Sequence, residues 1–154
     1  MNGRLVAGAL VIAGLVAGVA MYWLQVHAFY TPVAEAEIRL TPVGGGAPQP
    51  VAVAGFEGID SDSSPIRFRA CFRLEMSLAT LTETYVIHAE PVPLVAPGWF
   101  SCFDAAAIGA ALETGEAVAF LGETEVRPGV ERIVAVFPDG RAFAWHQLTA
   151  RFRN

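Results

Sequence analysis

Apolar positions fall into two regimes along the chain. From Leu5 to Leu24 they run without a break and without a charge, as LVAGALVIAGLVAGVAMYWL. From residue 31 onward they come in short stretches separated by polar, glycine and proline residues. A bilayer core about 30 Å thick takes about 20 apolar helical residues to cross, so the first regime predicts a transmembrane helix. The second predicts a water-exposed domain with its own core.

Within the second regime the clearest pattern is Arg67–Leu74. Phe68, Ala70, Phe72 and Leu74 alternate with Arg67, Arg69, Cys71 and Arg73, the period of a half-buried strand. On this reading the arginines lie on a solvent face balanced by nearby carboxylates; binding an anionic headgroup or an acidic partner is the other use of such a row. Further strand candidates are Ile38–Leu40, Val51–Ala54, Tyr85–His88, Ala117–Leu121, Arg132–Phe137 and Arg141–Leu148. Pro138-Asp139-Gly140 has the chemistry of a turn between the last two, proline setting φ and glycine taking positive φ.

Asp104–Leu112 predicts the main helix, rich in alanine, capped by Asp104 and stopped by Gly115. Ser77 caps a shorter one carrying Leu78 and Leu81. Thr41–Pro50 (TPVGGGAPQP) and the polar stretch Gly55–Pro65 read as loops. The expected organisation is an anchor over residues 1–30, a stalk over 31–37 and an α+β domain over 38–154, with an antiparallel sheet packed on one main helix.

The flanks of the apolar run give it a direction. Arg4 and the α-amino group precede it, whereas Gln25–Ile38 carries no Lys or Arg and holds Glu35 and Glu37. The positive-inside rule then puts the N-terminus in the cytoplasm and the domain outside. Gly18-Val19-Ala20 offers a signal-peptidase site, but the run is long for a signal peptide and apolar residues continue past the cut. Tyr22, Trp23, Phe29 and Tyr30 have the character of an interfacial belt, so a retained anchor is the favoured reading. Gly14 and Gly18, with Ala9, Ala13 and Ala17 at the same spacing on a neighbouring face, form a candidate helix-packing face for another transmembrane protein. Glycine and alanine are also common in membrane helices, so chance accounts for the pair equally well.

Charge narrows the partners. The formal net charge is −5 and all ten basic residues are arginine. From Thr31 onward nine Arg face fifteen Asp and Glu, a composition that argues against nucleic acid as a partner. The mean hydropathy of +0.46 reflects the apolar run.

The candidate chemistry is sparse. Cys71 and Cys102 are the two cysteines. In an oxidising compartment they form a candidate disulfide, closing a loop of about 30 residues and stabilising by roughly 3 kcal/mol in the chain-entropy model; two separate buried thiols are the alternative. No Cys-x-x-Cys supports a redox role. Asp60-Ser61-Asp62-Ser63-Ser64 begins like a calcium loop, but Pro65 and Cys71 stand where an EF-hand needs glycine and a bidentate Glu. His27, His88 and His146 share no ligand spacing. There is no nucleophile elbow and no phosphate loop. The sequence therefore assigns no catalytic residue, no cofactor and no metal. The expectation is a non-enzymatic accessory or interaction protein; the alternative is a sensor or small-ligand module with a pocket lined by Trp99, Phe100 and Trp145.

The segments Asp62–Phe72 (with IRFRACF at 66–72), MSLATLTETYV (76–86), VPLVAPGWFSCFDAAAIGAALETGEAVAFLGE (92–123) and VAVFPDGRAFAWHQ (134–147) resemble an uncharacterised alphaproteobacterial family, mostly of the Rhodobacter group. Its members are similar in carrying an N-terminal anchor like MNGRLVAGALVIAGLVAG. The resemblance implies a bacterial inner-membrane protein with a periplasmic domain and implies no activity. Some members carry the label histidine kinase, which this chain does not support: it has neither a nucleotide-binding domain nor a phosphotransfer helix pair. The C-terminus TARFRN lacks cysteines associated with similar proteins, and a pairing of those with a body cysteine would compete with Cys71–Cys102.

Overall fold

In a computed structural model that describes residues 2–153, the apolar run forms helix α1 (Gly3–Trp23), continued by a π-helical turn (Leu24–Ala28). Gly3–Ala28 reaches a mean hydropathy of 2.3 with no part of that window buried, long and apolar enough to cross a membrane. An apolar surface with no protein over it is what a lipid-facing helix presents.

The rest of the chain is a mixed α+β domain. Its strands are β1 (Thr31–Val33), β2 (Arg39–Leu40), β3 (Gln49–Pro50), β4 (Val53–Asp60), β5 (Arg69–Leu74), β6 (Val118–Arg127), β7 (Val130–Val136) and β8 (Arg141–Leu148). Helices α2 (Leu78–Thr84) and α3 (Ala105–Thr114) lie between β5 and β6. Six strands form one antiparallel sheet in the order β1-β4-β5-β8-β7-β6, and β2 and β3 form a separate ribbon.

The alternation of β5 decides how the sheet is covered. Ala70, Phe72 and Leu74 share one face with Ala142 and Ala144 of β8 and Val134 and Val136 of β7, beneath Ile38, Leu40, Leu81 and Tyr85. Cys71 points the other way, with Phe143 and Trp145 of β8 and Ile133 and Ala135 of β7, beneath Phe100, Phe103 and the α3 residues Ile108 and Ala111. Both faces are therefore covered at Arg69–Phe72, while Arg73 stays exposed, as expected for it. This corrects the expectation of a solvent face at Arg69, which is only 3% exposed, because Leu94, Val95 and Phe103 lie over it.

Local signals account for most element ends. Asp104 Oδ1 accepts from the amides of Ala106 and Ala107, both at 3.0 Å, and Gly115 closes α3 at φ +75°. Ser77 Oγ accepts from Thr80 N at 3.1 Å and starts α2. Gly140 turns β7 into β8 at φ +85°, where a Cβ would lie 2.8 Å from the Leu74 carbonyl oxygen.

The expected Thr41–Pro50 loop ends in strand β3, paired from Arg39↔Pro50 to Leu40↔Gln49, and the strand expected from Val51 begins at Val53. Three further stretches depart from the sequence reading. Gly55–Asp60, a loop by its composition, is strand, since Gly55 at φ +61° and a bulge between Ala54 and Glu57 interrupt the alternation without ending the pairing. Thr31–Val33, expected as stalk, pairs with β4 from Thr31↔Asp60 to Val33↔Gly58. Tyr85–His88 forms only isolated bridges, yet it covers the outer edge of β6: Leu121 N donates to Val86 O and His88 N to Ala119 O, each at 2.8 Å. Covering an edge in this way removes a template for aggregation.

Candidate functional site at the helix–domain junction

The apolar helix does not end free. Its π-helical turn sets the His27 ring between two indoles, stacked with Trp23 (centroids 6.3 Å apart, 28°) and Trp99 (5.9 Å, 16°). Trp99 Nε1 donates to the Val26 carbonyl at 2.8 Å. Tyr30 and Phe100 meet the Trp99 ring edge-on, at 6.1 and 6.3 Å. Beside them the Arg67 guanidinium lies over the rings of Phe29 (5.8 Å) and Tyr30 (5.4 Å) and donates from Nη1 to Ser63 Oγ at 3.0 Å. Among the described residues no carboxylate lies within ion-pair distance of Arg67.

Trp99 reaches the helix because β5 holds its segment in two places. Arg69 donates from Nε to Leu94 O (2.8 Å), from Nη2 to Val95 O (3.3 Å), and from Nη1 to Ile66 O (2.8 Å) and Phe68 O (2.6 Å). Burial lowers its pKa to about 10, against the nearby Asp60 carboxylate, which favours the cation. Two residues on, Cys71 is bonded to Cys102, with Sγ atoms 2.11 Å apart and Cα atoms 6.3 Å apart. The proline-rich stretch between β5 and α3 is thereby fixed across the sheet.

Two buried polar clusters lie apart from this junction. On one face His88 Nε2 meets Glu131 Oε1 at 3.0 Å, and Glu90 N donates to His88 Nδ1 at 3.2 Å. An amide can only donate, so Nδ1 accepts and the proton sits on Nε2. Gln147 completes the set: its Nε2 donates to Glu131 Oε1 (2.9 Å) and Glu90 O (3.2 Å), while its Oε1 accepts from Trp145 Nε1 (3.1 Å) and Val92 N (2.8 Å). On the opposite face His146 Nδ1 donates to Pro65 O at 3.0 Å, and its Nε2 accepts from Arg132 Nε at 3.2 Å. Burial, reinforced by the Arg132 charge, lowers the His146 pKa to about 3. Arg132 also pairs with Glu123 at 3.0 Å and lies 4.7 Å over Phe68. Both histidines thus have each ring nitrogen engaged within the protein, and the clusters work as braces between strands and loops.

The other positions singled out in the sequence scatter. A Cβ built on Gly14 or Gly18 meets nothing within 4 Å, so that helix face is open. Asp60 Oδ1 accepts from Ser61 N at 2.8 Å in a local turn, and among the described residues no three His, Cys, Asp or Glu side chains converge as a metal site would need. Trp99, Phe100 and Trp145 do not line a common pocket: Trp145 is fully buried, Phe100 is nearly so, and Trp99, 40% exposed, faces the helix end. The seat of Arg67 and the roles of Glu131 and Gln147 have no signature in the sequence. One signal for the junction is present there: PVPLVAPGW is too apolar for a solvated loop between a strand and a helix.

A protein-family model described as "Family of unknown function (DUF6446)" matches residues 38–153. No curated protein and no solved structure matches the chain.

Proposed function

The chain belongs to DUF6446, a family of unknown function, and from that premise we propose that it is a single-pass protein of a bacterial inner membrane acting as a non-enzymatic accessory or interaction protein of the cell envelope. The observation that carries this reading is the junction. Trp99 ties a folded domain to the last turn of an apolar helix, which suits a protein that presents a domain at a membrane surface. Arg4 before the helix, and no Lys or Arg between Gln25 and Ile38, favour a cytoplasmic N-terminus and a periplasmic domain. The internal engagement of His88, His146 and both cysteines supports a structural rather than a catalytic use of these groups.

On this reading the helix recruits as well as anchors. Gly14 and Gly18 lie one turn apart with open space above them, and small residues let another membrane helix approach closely. The test is crosslinking and pull-down of the tagged full-length protein from native membranes, beside a Gly14→Ile/Gly18→Ile variant. Recovery of membrane partners with the native chain, reduced in the variant, supports the reading. An unchanged partner set removes the helix-face part of it, and a chain recovered alone overturns the accessory role.

A further inference from the structure

If Leu5–Leu24 fills the bilayer core, its 20 residues at about 1.5 Å each cover roughly 30 Å, the whole hydrocarbon thickness. The π-helical turn and Phe29–Tyr30 then fall in the headgroup layer, which extends several ångströms beyond the core. Whatever touches those residues lies at the same depth. Arg67, over Phe29 and Tyr30, does so, and so does Trp99, bonded to Val26. Val95, four residues from Trp99 on the same segment, is 80% exposed. Apolar and aromatic side chains in such a position match an interfacial belt rather than a solvated loop.

Arg67 is the chemically specific member. A guanidinium carries five N–H donors, and among the described residues that of Arg67 has one hydrogen-bond partner, the neutral Ser63 hydroxyl. Two aromatic rings beneath it fix its plane. The remaining donors form a planar fork suited to a phosphate, and phosphate is the anion abundant at that depth. We propose that Arg67, seated on Phe29 and Tyr30, binds the phosphate of a phospholipid in the leaflet on the domain's side, and with Trp99 and Val95 seats the domain on the bilayer. This rests on the membrane-spanning reading of α1. It revises the solvent-face role expected for Arg67, because the two rings bring the side chain to the helix end.

The test uses the full-length chain, purified in mild detergent and exchanged into dioleoylphosphatidylglycerol, dioleoylphosphatidylcholine or a phosphate-free monogalactosyl diacylglycerol, with retained lipid read by native mass spectrometry. The native chain retains both phospholipids in preference to the galactolipid. Arg67→Gln lowers that retention about tenfold, the effect of losing a hydrogen bond to a charged group. Phe29→Ala, which removes one ring from under the guanidinium and leaves the domain core intact, lowers it in the same direction. Equal retention by Arg67→Gln, or equal retention of the galactolipid, overturns the proposal. Displacement of the lipid by millimolar inorganic phosphate assigns the site to a free anion and also overturns it. Alkaline carbonate washing of native membranes separates the premises: a chain released by the wash overturns both the span and the lipid site, whereas a chain that stays in the membrane with retention unchanged in Arg67→Gln overturns the site alone.

Discussion

Trp99 Nε1 donates to the carbonyl of Val26 across 73 residues of chain, at 2.8 Å. The carbonyls of a helix's last turn lack intrahelical partners, and here a side chain from the domain supplies one. The bond joins the two regimes seen in the hydrophobic pattern, and the ring that makes it also stacks on His27.

Replacing Trp99 by Phe keeps an aromatic ring and removes the donor. A net hydrogen bond contributes about 0.5–1.5 kcal/mol, so the junction opens up to about tenfold more often, while the half-exposed ring contributes little to the domain's own core. Protease cleavage in residues 24–30 of the detergent-solubilised chain should speed up, with the domain's unfolding midpoint unchanged. Equal cleavage rates in the native and variant chains would show that the bond does not hold the junction.

The Cys71–Cys102 bond closes a loop with a sequence separation of 31. In the chain-entropy model a loop of that length stabilises by about 3–4 kcal/mol. Reduction should therefore lower the denaturation free energy of the domain by that order, read from the fluorescence of buried Trp145 with and without reductant. The closed loop contains Trp99, so reduction should also speed cleavage at the junction. Loss of stability without faster cleavage would separate the two roles of the bond. Thiol labelling in intact cells adds a test of orientation: blocked thiols are expected if the domain faces an oxidising compartment.

How much of this is legible in the sequence differs between elements. Helix α3 is readable because its signals are local, with Asp104 at one end and Gly115 at the other. The phase of β5 is readable from period-two alternation, since Phe68, Ala70, Phe72 and Leu74 all lie in one cluster. Whether the opposite face is wet is not readable there, because its cover comes from residues 91–104 and α3, remote in sequence. Arg69 shows the consequence. A guanidinium in an alternating strand reads as solvated, yet its donors meet four backbone carbonyls that only the folded chain assembles. The junction lies further out of reach, since Val26, Arg67 and Trp99 come from three separate stretches. Gly55 hides β4 by placing a left-handed residue inside a paired strand.

Arg69→Met keeps the length of the side chain and removes its donors. The carbonyls of Ile66, Phe68, Leu94 and Val95 then lose a charged partner inside the protein. Phe68 O keeps His146 N at 3.4 Å, and leaving the other three part-buried acceptors without a partner costs about 1–3 kcal/mol each where water cannot reach them, so a total of roughly 3 kcal/mol is expected in chemical denaturation. The proline-rich segment should exchange its amide hydrogens faster than β7 and β8, which keep their ladder bonds. Uniform acceleration across the whole sheet would instead mean that Arg69 supports the core rather than the segment above it.

His146 gives the domain a defined response to acid. Its Nδ1–H donates to Pro65 O, its Nε2 accepts from Arg132, and Phe68 stacks on it at 4.7 Å. Protonation would cost the Arg132 bond and set two cations side by side in a buried place; burial first, then Arg132, with smaller contributions from Arg69 and Arg127, lowers the pKa from 6.5 to about 3. Below pH 6.5 the unfolded chain therefore takes up a proton that the folded chain refuses, and stability falls with pH until both forms are protonated near pH 3. At about 1.4 kcal/mol per unit, the loss between pH 7 and pH 4 is roughly 2–3 kcal/mol. Titrating carboxylates add their own slope, so the informative quantity is the difference from His146→Gln, whose amide can make both hydrogen bonds and does not titrate. The gap in denaturation free energy between native and variant chains should move in the variant's favour by that amount from pH 7 to pH 4. Parallel pH curves for the two chains would show that His146 is not held neutral by the fold.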